Sequence, residues 1–202
     1  MPRAFISHTS ELDQSDQEQS FVHAAILAAN NVGCHSVRMR DFHAADRPPR
    51  DVCRQQLAAS DLAIFLIGFR HGTLVRGSKQ SFVEFEVATQ LNLPRLVFML
   101  SDQAILPLYL GRDLRGGSAQ AAFRQRLLND SDLLVREFKN QQDLSASVES
   151  AVRRTLMGQV SRRSPNLNES TERDQLGSIY PVVTNAPVPK ALSRGVTTPQ
   201  LF

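Results

Sequence analysis

The sequence predicts an α/β fold in which helices cover both faces of a five-stranded parallel sheet. Three observations predict it. Five short strand-like segments alternate with helical segments, these strands are continuously apolar rather than alternating, and 202 residues with 42% hydrophobic content can form one core. Right-handed crossovers between such strands leave few topologies, and five strands fit the order 2-1-3-4-5.

The first three strands lie in the first third of the chain. Runs of apolar residues predict them at residues 4–6, 34–39 and 62–67. A helix over 20–32 has apolar residues at helical spacing and ends at Gly33. Pro48 and Pro49 begin a second, shorter helix that runs to residue 57, because proline is favoured in the first helical turn.

The remaining elements continue the alternation of strand and helix. Helices are predicted over 81–92, 119–128 and 144–156, and strands at 96–100 and 133–138. Pro94 ends the first of these helices. The complete pattern predicts a flavodoxin-like three-layer sandwich.

The composition changes near Gly158. Five of the ten prolines follow that residue, separated by short apolar segments. We therefore expect one α/β domain over 1–157 and a Pro-rich, largely disordered tail or linker over 158–202. The alternative interpretation of the second segment is the beginning of a further module.

Charge and composition exclude several classes of function. The net charge of +3 is spread along the chain without a basic cluster, so we expect no nucleic-acid partner. No apolar run approaches the roughly 20 residues of a membrane helix, and no secretory signal is visible. Two cysteines form neither a disulfide framework nor a zinc spacing, so we expect a cytoplasmic protein without a metal site.

A ligand crevice is expected at the carboxyl ends of strands one and three, where the strand order reverses. The polar, basic and aromatic residues that follow these two strands are its candidate ligand-binding residues: Ser7, His8, Thr9, Phe69, Arg70 and His71. The alternative is structural, since hydroxyl groups after a strand cap helices and glycines turn the chain.

Glu84 is the candidate catalytic residue. At roughly 100° per residue it falls within the apolar arc of its helix, whereas Glu86 falls on the opposite side and is expected to face outward. An inward carboxylate is a candidate for acid–base work. Ser81, three residues earlier, is counted with the ligand-binding residues, and the pair also fits a capping box.

These segments resemble the bacterial TIR-like family named domain of unknown function 4062. The resemblance covers residues 3 to about 156, and its motifs are Phe5–Glu11, Met39-x-x-Phe42, Asp46-x-Pro48-Pro49, Gly68–Gly72 and Ser81-x-x-Glu84-x-Glu86. It implies a flavodoxin-like TIR fold placed at the amino end of multidomain proteins, many of them in bacterial defence systems.

The resemblance also implies two functions. The first is a signalling module that self-associates or docks a partner or effector domain. The second is an NAD glycohydrolase in which Glu84 stabilises the developing charge while Ser7 and the loop after strand three position the substrate, so NAD is a candidate substrate. Tryptophan is absent from the chain, which leaves Phe42 or Phe69 as the ring that would stack on the ligand.

Overall fold

The computed structural model describes residues 1–13, 20–38, 41, 46–89, 93–104 and 117–163. Its strands are β1 (Arg3–His8), β2 (His35–Arg38), β3 (Leu62–Ile67), β4 (Arg95–Leu100) and β5 (Val135–Phe138). All neighbours pair in parallel in the order β2-β1-β3-β4-β5. The predicted fold class and strand order are confirmed.

Five helices cover the two faces of this sheet. They are α1 (Phe21–Asn31), α2 (Pro49–Ala58), α3 (Phe82–Ala88), α4 (Gly117–Asn129) and α5 (Gln141–Arg163), and a short 3₁₀ turn (Ser10–Asp13) follows β1. Helices α1 and α5 pack on one face, and α2, α3 and α4 contribute to the core on the other. The sequence analysis did not predict the 3₁₀ turn, which begins two residues after the end of β1.

β3 lies at the centre of both cores. Every residue of this strand is buried, and successive side chains enter opposite layers. Ile64 and Leu66 pack under α1 and α5, whereas Phe65 and Ile67 pack under the other three helices. A continuous apolar run is therefore required here, because neither face of the strand meets water.

The carboxyl ends of two helices depart furthest from the predicted ones. Helix α3 ends at Ala88, and residues 90–92 lie outside the described residues. Helix α5 continues through Gly158 to Arg163, so the expected domain boundary falls within a helix. A single glycine costs only about 1 kcal/mol in a helix, and the Gln159 side-chain amide donates to the Asp61 carbonyl at 3.1 Å. Residues 164–202 lie outside the described residues, so their disorder stays a prediction.

None of the helices described above combines the length and apolarity needed to cross a bilayer.

Candidate functional site

The carboxyl ends of β1 and β3 meet as predicted, and side chains of this chain fill the space between them. The Thr9 amide donates to the Leu66 carbonyl at 3.1 Å, and the Gly68 amide donates to Thr9 Oγ1 at 2.9 Å. Glu11, from the 3₁₀ turn, accepts a hydrogen bond from the Arg70 amide at 2.9 Å. The predicted crevice is therefore closed by Thr9 and Glu11.

Gly68 allows this closure. A Cβ atom at this position would overlap the Glu11 carboxylate and approach Thr9 Oγ1 to 2.8 Å. The Gly68 carbonyl also accepts hydrogen bonds from two side chains of α4. The Gln120 amide donates to it at 2.8 Å and the Arg124 guanidinium at 3.4 Å. A side chain here would therefore collide with both Glu11 and Thr9.

Glu11 is a functional candidate that sequence reasoning missed. It is buried, and burial raises the pKa of its carboxyl group above the usual 4.5, partly opposed by hydrogen bonds from the Arg70 amide and from Thr9. Its Oε2 atom has no hydrogen-bond partner. The available signal was its position, directly after β1 and opposite a glycine at the end of β3.

Glu84 is buried, as its place in the apolar arc predicts, and is held by three partners. The Ser81 amide donates to Glu84 Oε2 at 3.0 Å, and the Glu84 amide donates to Ser81 Oγ at 3.2 Å, which completes the capping box. His71 Nε2 lies 3.4 Å from Oε2, and the Arg126 guanidinium pairs with Oε1. Both carboxylate oxygens are thus engaged, and they lie on the α4 side of α3.

The expectation that Glu86 faces outward is wrong. Its side chain is buried, with 4% of the residue exposed. The Ser7 hydroxyl donates to Glu86 Oε2, and the Cys53 thiol also bonds this carboxyl group. Helix α3 is covered on two sides, by β1 and α2 and by α4, so residues on opposite faces of the helix are both buried.

Glu86 has no cation among the partners that the structure assigns to it. Burial raises the pKa of its carboxyl group above 4.5, and the hydrogen bonds from Ser7 and Cys53 only partly oppose this shift. Burial likewise raises the pKa of the Cys53 thiol, with Glu86 contributing. Both shifts favour the protonated, neutral forms of the two groups.

The structure separates the predicted ligand-binding residues into three places. Ser7 joins Glu86, Thr9 joins Gly68, and His71 and Ser81 join Glu84. The His8 ring lies 3.3 Å from the Thr9 carbonyl, and the Arg70 amide bonds Glu11. Phe42 lies outside the described residues. These side chains therefore do not line one common ligand site with Glu84.

Phe69 belongs to a different cleft, at the carboxyl ends of β3, β4 and β5. The cleft has a volume of about 280 Å³, and the Arg124 guanidinium lies 4.8 Å from the centroid of the Phe69 ring. Arg124 also donates to the Leu100 carbonyl at 2.8 Å and lies 3.4 Å from Asp102. Within the part of the chain that the structure describes, no three acidic, histidine or cysteine side chains are grouped as metal ligands.

Two of the solved structures to which this chain is similar are flavodiiron proteins. A flavo-diiron protein mutant from Thermotoga maritima is 17% identical, with 79% of this chain and 35% of that chain covered and a TM-score of 0.40. The flavodiiron core of Flv1 from Synechocystis is 14% identical, with 80% and 36% covered and a TM-score of 0.39. This chain therefore spans about a third of the length of these proteins.

No curated protein matches the sequence. One family does match, over residues 3–153, which comprise nearly all of the compact unit from Met1 to Arg163. Its description is "domain of unknown function", and the match extends from β1 into α5. The chain belongs to the DUF4062 family.

Proposed function

We propose that this domain is a non-catalytic, TIR-like signalling module that acts by associating with a second copy of itself. The observation that carries the proposal is the engagement of Glu84. Its two oxygens are held by the Ser81 amide, His71 and Arg126, and only 5% of the residue is exposed. A carboxylate fixed in this way supports helix α3 and is poorly placed to approach a ribose.

The proposed contact surface is the groove between α5 and the β4–β5 edge. This groove has a volume of about 750 Å³. Leu134 lines it and is 91% exposed, which is unusual for a large apolar side chain beside an apolar groove. An apolar projection next to a groove suits a two-fold interface, because each copy can insert its leucine into the groove of the other.

The charges around the groove fit the same arrangement. Arg95, Arg136 and Arg154 line it together with Asp143. Because both signs lie in one patch, cations of one copy can meet the anion of the other across a two-fold axis. The resemblance implies that members of this family are parts of multidomain signalling proteins. In such a protein, association of this domain would transmit a signal. The two cysteines are free and buried, which fits a reducing, cytoplasmic setting.

The test is the oligomeric state of the full chain. Sedimentation velocity over a wide concentration range should show reversible association for the wild type and for Glu84→Gln. Leu134→Gln should raise the protein concentration at which half of the chains are associated by at least about tenfold, as expected for loss of a buried apolar anchor. Leu27→Gln, at a half-exposed leucine on α1, is the matched control. A wild type that stays monomeric throughout overturns the proposal.

A second candidate function is cleavage of the nicotinamide–ribose bond of NAD by Glu84. The observation that favours it is a cleft of about 210 Å³ lined by Glu84, Arg95 and Arg126, whose cations could attract a diphosphate. Chromatography of NAD incubated with the full chain tests it. Nicotinamide release that is lost in Glu84→Gln and kept in Glu86→Gln would establish this activity. No release from wild type at associating concentrations would exclude it.

A further inference from the structure

Helix α5 presents one stripe of side chains to the groove proposed above as the contact surface. The residues of this stripe recur every three or four positions along the helix, which places them on one face. From residue 143 to residue 154 they are Asp143, Ala146, Ser147, Ser150, Ala151 and Arg154. The stripe therefore has a charged residue at each end and small side chains between them.

Asp143 and Arg154 carry the two charges of this stripe. They are 11 positions apart, which corresponds to about three turns of helix, or about 16 Å, so both lie on the same face. Neither forms an ion pair within the described residues, whereas Arg153 pairs with Glu149 at 2.7 Å. The Asp143 carboxylate accepts a hydrogen bond from the Lys139 amide at 3.1 Å. Both charges can therefore meet those of a second molecule.

We propose that two copies associate with their α5 helices antiparallel, so that Asp143 of each copy pairs with Arg154 of the other. This arrangement rests on the self-association proposed above and specifies its orientation. A two-fold axis perpendicular to α5 brings opposite ends of the stripe together and forms two such ion pairs in each dimer. A two-fold axis parallel to α5 would set each charge against its own copy, which electrostatic repulsion disfavours.

The small side chains between the two charges favour close packing of the helices. Helix axes lie about 8–10 Å apart depending on the side chains at the contact, and alanine and serine permit the shorter distances. The residues at the middle of the stripe are Ala146, Ser147, Ser150 and Ala151. At a short axial distance, the longer side chains at the two ends of the stripe can reach each other across the interface.

The other two arginines of the groove lie on strands. Arg136 is on β5, and Arg95 is on β4, where its guanidinium donates to the Val87 carbonyl at 3.1 Å. Arg154 is therefore the groove-lining arginine that the antiparallel arrangement of the helices brings to Asp143 of the other copy.

Reversal of the charge at Arg154 tests this orientation. In sedimentation velocity of the full chain, Arg154→Asp should raise the half-association concentration, at which half of the chains are associated, by at least about tenfold. Each dimer then has two repulsive contacts in place of two attractive ones. About 1 M NaCl should reduce this difference. Arg153→Asp is the matched control: it reverses the neighbouring charge, outside the groove lining, and should associate like wild type.

A variant that combines Asp143→Arg with Arg154→Asp restores the pairing with the signs exchanged. Its half-association concentration should return to within about threefold of wild type. If the combined variant does not fold, the comparison of Arg154→Asp with Arg153→Asp remains decisive.

The possible failures are distinguishable. A wild type that stays monomeric would overturn the self-association on which the arrangement rests. A wild type that associates, with Arg154→Asp no weaker than Arg153→Asp, would overturn the antiparallel arrangement alone. The same holds if a folded combined variant associates as weakly as Arg154→Asp.

Discussion

Glu84 and Glu86 lie two residues apart on a seven-residue helix, yet their surroundings differ in charge. Glu84 faces α4, where the Arg126 guanidinium pairs with its carboxylate, and the His71 ring from the segment after β3 lies 3.4 Å away. Glu86 faces β1 and α2, where Ser7 and Cys53 are neutral donors and burial raises the pKa of the carboxyl group. The difference shows that burial alone does not decide which groups a glutamate meets. The elements packed against each face of the helix decide it, with a cation on one face and neutral donors on the other.

Glu11 extends the comparison to the adjacent loop. Like Glu86, it is buried, receives neutral donors and has a raised pKa. Both residues lie beside β1, whereas the cation-paired Glu84 lies beside α4. We therefore distinguish a region around β1 in which neutral groups donate to buried carboxyl groups, called the neutral region, from an ion-paired region between α3 and α4.

The largest effect is expected in the neutral region, from Gly68→Ala. The added methyl group would overlap the Glu11 carboxylate and crowd Thr9, and the backbone carbonyl of this residue is fixed by Gln120. Overpacking of this kind should lower the free energy of unfolding by about 3 kcal/mol, as measured by urea denaturation.

Gly72→Ala separates overlap from backbone strain. Gly72 has φ of +79°, but a Cβ atom there meets nothing within 4 Å. Its substitution should cost only about 1 kcal/mol, the penalty of a left-handed alanine. Equal losses in the two variants would mean that the Glu11 loop moves aside and does not fill the crevice rigidly.

In the ion-paired region, Glu84→Ala should lower the free energy of unfolding by about 2 kcal/mol. This substitution removes the capping box and leaves His71 and Arg126 without their carboxylate. Glu84→Gln retains a side-chain oxygen that can accept from the Ser81 amide, so it should lower the free energy of unfolding by about half as much. Urea unfolding measures both, and a glutamine variant as unstable as the alanine variant would assign the whole effect to charge.

Glu86→Gln should change how stability depends on pH. A carboxyl group whose pKa is higher in the folded chain binds more protons when folded, so its contribution to stability falls as pH rises from 4.5 through the folded value. Glutamine removes this loss. The free energy of unfolding of the variant, relative to wild type, should therefore rise with pH above 4.5.

Unfolding by urea at several pH values measures this difference. Glu149→Gln, at an exposed glutamate, is the control and should follow the wild-type curve. A stability difference that is independent of pH would show that the pKa of Glu86 is the same in the folded and the unfolded chain.

The sequence was sufficient for the sheet but not for the assignment of the two glutamates. Five apolar runs separated by helices specify the strand order, and Ser81-x-x-Glu84 specifies a helix cap. A single helical wheel places Glu86 on the polar side, because periodicity describes one buried face. The helical wheel contains no information about α2 and β1. These elements come from distant parts of the chain and bury the face of α3 that carries Glu86.

The closure of the crevice could not be predicted for a similar reason. The topology correctly brings Thr9 to Gly68, 59 residues apart. Whether the resulting space accepts a ligand depends on the side chain of Glu11, and the 3₁₀ turn that carries it has no strong periodic signal. Likewise, the ion pair between Glu84 and Arg126 joins two helices whose relative rotation depends on packing.

The smallest effect is expected for Arg126→Met, at the exposed side of the ion-paired region. The Arg126 side chain is 63% exposed, so water can replace part of its interaction with Glu84. We expect the free energy of unfolding to fall by about 0.5–1 kcal/mol in low salt, as is typical of partly exposed ion pairs. Because salt screens exposed charges, the loss should shrink in about 1 M NaCl.

Unfolding curves at two salt concentrations measure this, with Arg153→Met on α5 as the matched control. A larger loss that salt leaves unchanged would mean that water and ions do not reach the pair, and that Glu84 and Arg126 interact as a buried ion pair.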